Sequence, residues 1–336
     1  MNIKLLAATI AATACGTNAF AAEIYNSEGS TISLGGYVDV GIGEYGSSDE
    51  VEVHQVSPRL NVSGTQDVGN GITVDAKGEW ALNYLDGGDT SFTTRLGYIG
   101  MTHDQAGRLA LGTQWAPYYD IAGVADMPIA FANDFLYDNH GNLATGRGDK
   151  MVTYRKGFAF GEDMSLDFGL GWQGKHTETG TNAGVYDARG QIAVSFSMMG
   201  ASLGYVYNGG EVNNVDAESN AVSLKYGSYG DGIYAALVYA MNDRFYDGLY
   251  ESDQYEALFA YGLGNGLNLS VNYEAVDGKA TSASSSQTQF SQSALQAEYN
   301  FTPKLVGFAG YQIDLGDDDP ATEDDDKWTI GARYFL

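Results

Sequence analysis

The chain is short of several things at once. Its 336 residues include one cysteine, Cys15, five prolines, four histidines, and 17 Lys and Arg against 43 Asp and Glu. A single thiol makes no internal disulfide and no thiolate metal cluster. A formal charge of −26 opposes phosphate neutralisation, so nucleic acid is excluded as a partner. After residue 21 no apolar run reaches the roughly 20 residues of a membrane-spanning helix. None of His54, His103, His140 and His176 has metal-ligand spacing or stands with a serine and an acid as in a hydrolase. The glycine-rich stretch 262–266 lacks the strand–loop–helix setting of a phosphate cradle. The acidic tract 317–326 lacks the glycine and alternating ligands of a calcium loop and reads as a solvated loop. No metal, no cofactor and no enzymatic activity are therefore expected.

The first residues read as an address. Lys4 precedes an apolar run over 5–14, and Ala19, Phe20 and Ala21 form a small-x-small cleavage pattern. The expectation is a signal peptide over 1–21, removed on export, with Ala22 as the mature start. A competing reading lipidates Cys15, but Ala12 stands where such sites usually carry leucine. Under the favoured cleavage no thiol remains in the mature chain. The rest, 22–336, shows no linker and is expected to be a single domain.

What is abundant points to antiparallel strands: Gly 45 and Tyr 24 in an exported chain with few prolines. Period-two alternation recurs. Ile32, Leu34, Val38, Val40 and Ile42 oppose Ser33, Tyr37 and Asp39. Val74, Ala76 and Trp80 oppose Asp75, Lys77 and Glu79. Leu166, Phe168, Leu170 and Trp172 oppose Ser165, Asp167 and Gln173. Leu267, Leu269, Val271 and Tyr273 oppose Asn268, Ser270, Asn272 and Glu274. Each segment thus has one apolar and one polar face.

A soluble sandwich gives the same alternation, but three features favour a barrel turned inside out in a membrane. Aromatics such as Tyr25, Tyr84, Trp115, Trp172, Tyr205, Tyr261 and Tyr299 sit near segment ends, as interfacial girdles do. Full charges such as Asp39, Lys77, Glu79, Arg95 and Glu274 stand on the polar face, where a water-filled lumen solvates them. Connections alternate short (67–70, 103–107, 198–200, 262–266) and long (46–53, 175–187, 277–290, 315–326). The pattern predicts about sixteen strands of roughly ten residues in an all-β transmembrane barrel. The final segment alternates to its last residue, with Trp328, Ile330, Tyr334 and Leu336 outward. It is expected to close the barrel, since an open edge in lipid leaves backbone groups unpaired.

These residues resemble the general diffusion porins of enteric and marine Gram-negative bacteria. The start at Ala22, Glu23, Ile24 and Tyr25 resembles the family's first strand. Ser57-Pro58-Arg59-Leu60 and Thr94-Arg95-Leu96 resemble its two early arginine-bearing strands. Tyr119-Asp120 through Asp126-Met127 resembles the start of its long third loop, and Gly146-Arg147 with Val152 to Arg155 the strand that follows. The resemblance implies a sixteen-stranded barrel, a homotrimer, and a third loop folded into the lumen, here between Trp115 and Lys150. It implies a constriction with Arg59, Arg95 and Arg147 on the wall, Lys77 and Arg155 as further candidates, and Asp120, Asp126 and Asp134 on the loop. Parity independently places Arg59 and Arg95 opposite the apolar series. The chain departs from the family pattern in having Ala130 for a loop glutamate, Tyr37 for a first-strand lysine, and Leu336 for a terminal phenylalanine.

The expected function is a water-filled outer-membrane channel for passive diffusion of ions and small hydrophilic solutes, weakly cation-selective because its loops are acidic. The expected partners are outer-membrane lipid and lipopolysaccharide, two further copies of the chain, and the outer-membrane assembly machinery through the C-terminal strand. A substrate-specific channel would need an aromatic slide, for which Tyr118, Tyr119, Phe131, Phe135 and Tyr137 are available, although loop aromatics more often pack the loop against the wall. A surface adhesin or receptor would place its function in the outer loops.

Overall fold

The polar side chains of this chain point inward and the apolar ones outward. The computed structural model describes residues 21–46, 50–85, 92–132, 135–180, 183–246, 248–316 and 325–336. Leu203 and Ile330 are 61% and 57% exposed, whereas Asn208 and Thr329 are at 0%. Asp39, Glu79, Arg189, Glu256 and Glu274 are likewise buried. In a soluble protein this arrangement is untenable, because apolar area in water costs about 25 cal/mol per Å². In a bilayer it is the stable arrangement.

Sixteen long strands form one closed antiparallel sheet. They are β1 (Ser30–Glu44), β2 (Arg59–Gly69), β3 (Ile72–Leu82), β4 (Phe92–His103), β5 (Gly107–Trp115) and β6 (Arg147–Ala159). There follow β7 (Met164–Gln173), β8 (Arg189–Met198), β9 (Ala201–Val212), β10 (Val215–Ser228) and β11 (Asp231–Asp243). The circuit ends with β12 (Glu251–Gly262), β13 (Leu267–Lys279), β14 (Gln287–Thr302), β15 (Leu305–Asp314) and β16 (Lys327–Phe335). Each pairs with its neighbour in sequence.

Closure is shared between the two termini. The second half of β1 pairs with β16, from Tyr37 opposite Phe335 to Glu44 opposite Trp328. Its first half pairs on the same flank with the short strand Ala22–Ser27. The Leu336 amide donates to the Gly36 carbonyl at 3.1 Å. Gly36 has φ +128, and a Cβ there would stand 2.1 Å from the Arg59 carbonyl oxygen, so only glycine fits the seam.

One end of the barrel carries short connections, among them 70–71, 199–200 and 303–304; the other carries the long ones. An exception is Asn213-Asn214, which joins β9 to β10 at the long-loop end in a tight turn with φ 53 and 62, the left-handed pair that asparagine tolerates in such hairpins. The long connection expected over 277–290 shrinks to 280–286, because β13 runs to Lys279 and β14 starts at Gln287. Most of the acidic tract 317–326 lies outside the described residues, as does the signal segment up to residue 20.

Two of the register shifts in the sheet bear on the lumen. Glu79 opposes Leu96 and Trp80 opposes Thr94, leaving Arg95 as an extra residue in β4. Below it Leu96 and Tyr98 are buried inward, while Ile99 and Met101 face out. A second shift, between Gly112 and Gln114, precedes Trp115. That residue was expected in the aromatic girdle; its ring instead lies 4.2 Å from Tyr119, on the loop inside the barrel. A bulge adds one residue to a strand and so exchanges the faces beyond it.

Candidate functional site

The 116–146 segment between β5 and β6 folds back along the inner wall. It begins with α1 (Pro117–Ala122), where Pro117 at the first turn follows an extended Ala116; proline suits that position because its missing N–H is unpaired there anyway. Short 3-10 turns follow at Gly123–Ala125 and Phe135–Tyr137, then α2 (His140–Leu143).

Wall side chains meet the backbone groups that this irregular path leaves unpaired. Gln191 on β8 holds both arms of the loop: its Oε1 accepts from the Tyr118 amide at 3.1 Å and its Nε2 donates to the Ala144 carbonyl at 2.6 Å. Gln296 on β14 accepts from the Phe131 amide at 3.1 Å and donates to its carbonyl at 2.6 Å. Glu298 accepts from the Ile129 amide and Glu274 from the Phe135 amide, each at 2.7 Å. Tyr118, Phe131 and Phe135 are buried against the wall. They anchor the loop and do not form an open aromatic slide.

A basic cluster stands on the wall strands β2, β3 and β4. Glu79 is its central carboxylate, with Arg59 Nη1 at 3.8 Å, Lys77 Nζ at 3.2 Å and Arg95 Nε at 3.1 Å. Three expected wall residues are thus brought together on β2, β3 and β4. Arg59 also lies over the Tyr37 ring at 4.8 Å, and Arg333 lies over the same ring at 4.0 Å. Asp39 is engaged separately, accepting from Arg333 Nη2 at 2.8 Å and from the Val56 amide at 2.9 Å. Arg147 has no carboxylate partner among the described residues. Its guanidinium sits 5.5 Å from the Trp115 ring and 5.7 Å from the Tyr137 ring, and its Nη2 donates to His140 Nε2 at 3.1 Å. Burial first, and then the Arg147 charge, hold the His140 imidazole below its usual pKa. It is therefore neutral and able to accept, with Nδ1 donating to the Arg147 carbonyl at 3.0 Å.

The loop acids are occupied. Asp126 Oδ2 accepts from the Tyr119 hydroxyl at 2.7 Å and from the Tyr137 hydroxyl. Its depth in the barrel raises its pKa above the ordinary carboxylate value, outweighing those two hydrogen bonds and the nearby Arg59 and Arg95. Asp120 pairs with Arg155, Oδ2 to Nε at 2.7 Å. These two sequence candidates therefore meet each other beneath α1, where Arg155 Nη2 also donates to the Trp115 carbonyl at 2.8 Å. Asp134 lies outside the described residues. Ala130 is buried with Phe131 against Ala294 and Phe308.

On the closing strand, Ile330 and Tyr334 face outward and Thr329 and Arg333 inward, as the alternation predicts. The sequence reading did not identify the loop clamps Gln191, Gln296 and Glu298. Nor did it identify Arg333 as a partner of Tyr37. Glu79 and Glu274 were visible only as charges on polar faces. Among the described residues no group of three or more His, Cys, Asp or Glu has the arrangement of a metal site.

Comparison with known proteins agrees with this architecture. The family model described as Gram-negative porin matches residues 7–336. Outer membrane porin C of Rahnella aquatilis is 27% identical, over 90% of this chain and 96% of that protein. The structure of a Salmonella typhi OmpF in complex with daunomycin superposes with a TM-score of 0.77 at 19% identity, covering 94% of this chain and all of that one. An OmpT of Vibrio cholerae, solved in a trimer form, superposes with a TM-score of 0.64 at 15% identity, covering 92% of this chain and all of that one.

Proposed function

This chain belongs to the Gram-negative porin family, and from that premise we propose how its outer-membrane pore works. The protein is a β-barrel channel of the outer membrane for passive diffusion, and it is not an enzyme. The narrowest zone lies between the wall cluster of Arg59, Lys77, Arg95 and Arg147 and the inward loop carrying Asp120 and Asp126. The observations that support this are the convergence of three cations on Glu79 and the clamping of the inward loop by Gln191 and Gln296.

Over the whole pore the selectivity is weakly cationic. The charge of −26 supports this, since acidic vestibules concentrate cations at both mouths. The working unit is a homotrimer in contact with lipid and lipopolysaccharide. Residues 1–21 are removed on export, and β16 with the terminal Leu336, bearing Trp328, Ile330 and Tyr334 on its outer face, is the segment that the assembly machinery reads.

Single-channel recording in a KCl gradient tests the selectivity: the reversal potential is expected to favour potassium slightly, and a clear chloride preference overturns it. An unboiled sample that migrates as a monomer on a detergent gel counts against the trimer.

A further inference from the structure

We propose that the loop between β1 and β2 is a second size-determining element of the pore. Through His54 and Tyr45 it pins the inward loop at Phe131 and closes off the lumen beside the seam of β16 and β1. The proposal rests on the reading of the chain as an open pore and adds the residue, His54, that limits the size of the hydrophilic solutes passing through it.

The returning arm of this loop is built onto the wall. Glu52–His54 forms a short strand antiparallel to β1, with His54 opposite Gly41 and Glu52 opposite Gly43. On their other flank Gly41 and Gly43 pair with Gly331 and Thr329 of β16. Val53 is exposed and His54 buried, so the imidazole turns inward, where its Nε2 is hydrogen-bonded to the Thr329 hydroxyl at 2.8 Å. It reaches Thr329 by passing over Gly41, where a Cβ would stand 2.7 Å from His54 Cε1. The following residues are tied down as well. The Asp39 carboxylate accepts from the Val56 amide at 2.9 Å and from the Ser57 amide at 3.3 Å, and Gln55 Nε2 donates to the Leu82 carbonyl at 2.8 Å.

Tyr45, at the start of the same loop, carries the contact to the inward loop. Its ring is stacked on His54, with centroids 4.3 Å apart and planes at 11°, and it meets the Phe131 ring at 5.5 Å. Tyr45 and Val56 pack against the apolar cluster of Ala130, Phe131, Ala294 and Phe308. Phe131 lies over Gly310 of β15, where a Cβ would stand 2.9 Å from its ring. Three rings in series, His54, Tyr45 and Phe131, therefore run from the wall at Thr329 through the first loop to the inward loop.

Two consequences follow from this row. A hydrated ion or sugar that entered the apolar cluster would lose hydrogen bonds to water without replacing them, so this corner of the lumen is closed to polar solutes. The stacking also adds a tie to the inward loop besides its hydrogen bonds to the wall. Breaking the row at any ring lets the two loops part and water enter between them.

The test uses the assembled protein in planar bilayers, and in liposomes with glucose and the trisaccharide raffinose as swelling probes. His54→Ala should raise the fraction of open time spent above the main conductance level about two- to tenfold, the shift in equilibrium that loss of one aromatic pair gives. It should also raise raffinose entry relative to glucose. His54→Phe keeps a ring in place and should restore both properties. Phe131→Ala should act as His54→Ala does, and the double variant no more strongly than either, because the rings are in series. Val53→Thr, on the exposed face of the same short strand, should behave as the wild type. Gly41→Ala, whose Cβ expels the imidazole, replaces His54→Ala if that variant does not assemble. Wild-type conductance and sugar selection in His54→Ala or Gly41→Ala overturn the pin. So do additive effects in the double variant, a His54→Phe channel as leaky as His54→Ala, or an equal effect of Val53→Thr. Absence of any wild-type conductance overturns the pore reading itself.

Discussion

The guanidinium of Arg333, on the last strand, lies over the ring of Tyr37, on the first, with Cζ 4.0 Å from the ring centroid. Arg59 lies over the same ring from the neighbouring strand at 4.8 Å. Tyr37 adds no charge, but its ring holds two arginines, one on each neighbouring strand. Tyr37→Phe keeps the ring and should leave the reversal potential as in the wild type. Tyr37→Ser should shift it, because Arg59 loses a contact worth about 0.5–2 kcal/mol. An unchanged reversal potential in the serine variant would show that the ring does not position Arg59.

Gln191 joins the two arms of the inward loop. Replacing it with leucine leaves the Tyr118 amide and the Ala144 carbonyl without those bonds, at a cost of about 1–3 kcal/mol per unmet buried group. The expected result is a loosened loop, seen as larger single-channel conductance with more open-state noise. Conductance and noise like those of the wild type would show that the remaining anchors suffice.

Asp126 gives a pH dependence of defined sign. Its pKa is raised in the folded protein, so the fold favours the protonated form, and ionisation at neutral pH is held at a cost. A raised carboxyl contributes stability that is full below its ordinary pKa of about 3.8 and lost as pH rises through the folded value. Asp126→Asn should therefore raise the unfolding temperature at neutral pH, with the gain shrinking on acidification. A gain that grows as pH falls contradicts this assignment.

The outward face of β16 reports on the bilayer. Ile330→Arg puts a charge on an exposed apolar position and should lower the fraction folded into lipid, by about 2–4 kcal/mol if it sits near the midplane. Thr329→Ser, one residue away and facing the lumen, should change folding little. Urea unfolding in lipid vesicles measures both, and equal effects would contradict the assigned faces.

Much of this protein is written locally. The alternation of Ile330 with Thr329 and Arg333, or of Leu269 and Val271 with Ser270 and Asn272, is a property of one strand. It fixed the all-β class, the two faces and the closing segment. The motifs around Arg59, Arg95, Asp126 and Arg147 also picked out charged residues that the fold brings near one another.

The tertiary structure decided which charges meet. Arg95 joins Glu79 at a bulge that strict parity does not contain, and Trp115 turns inside after another. Asp120 and Arg155 pair with each other, Asp126 is taken by two tyrosines, and Gln191 and Gln296 become loop clamps. The physical reason is one of distance along the chain. Period two follows from backbone geometry within a few residues. The partner of a lumen charge depends on inter-strand register and on the course of a long loop, which bring together residues as far apart as Asp39 and Arg333.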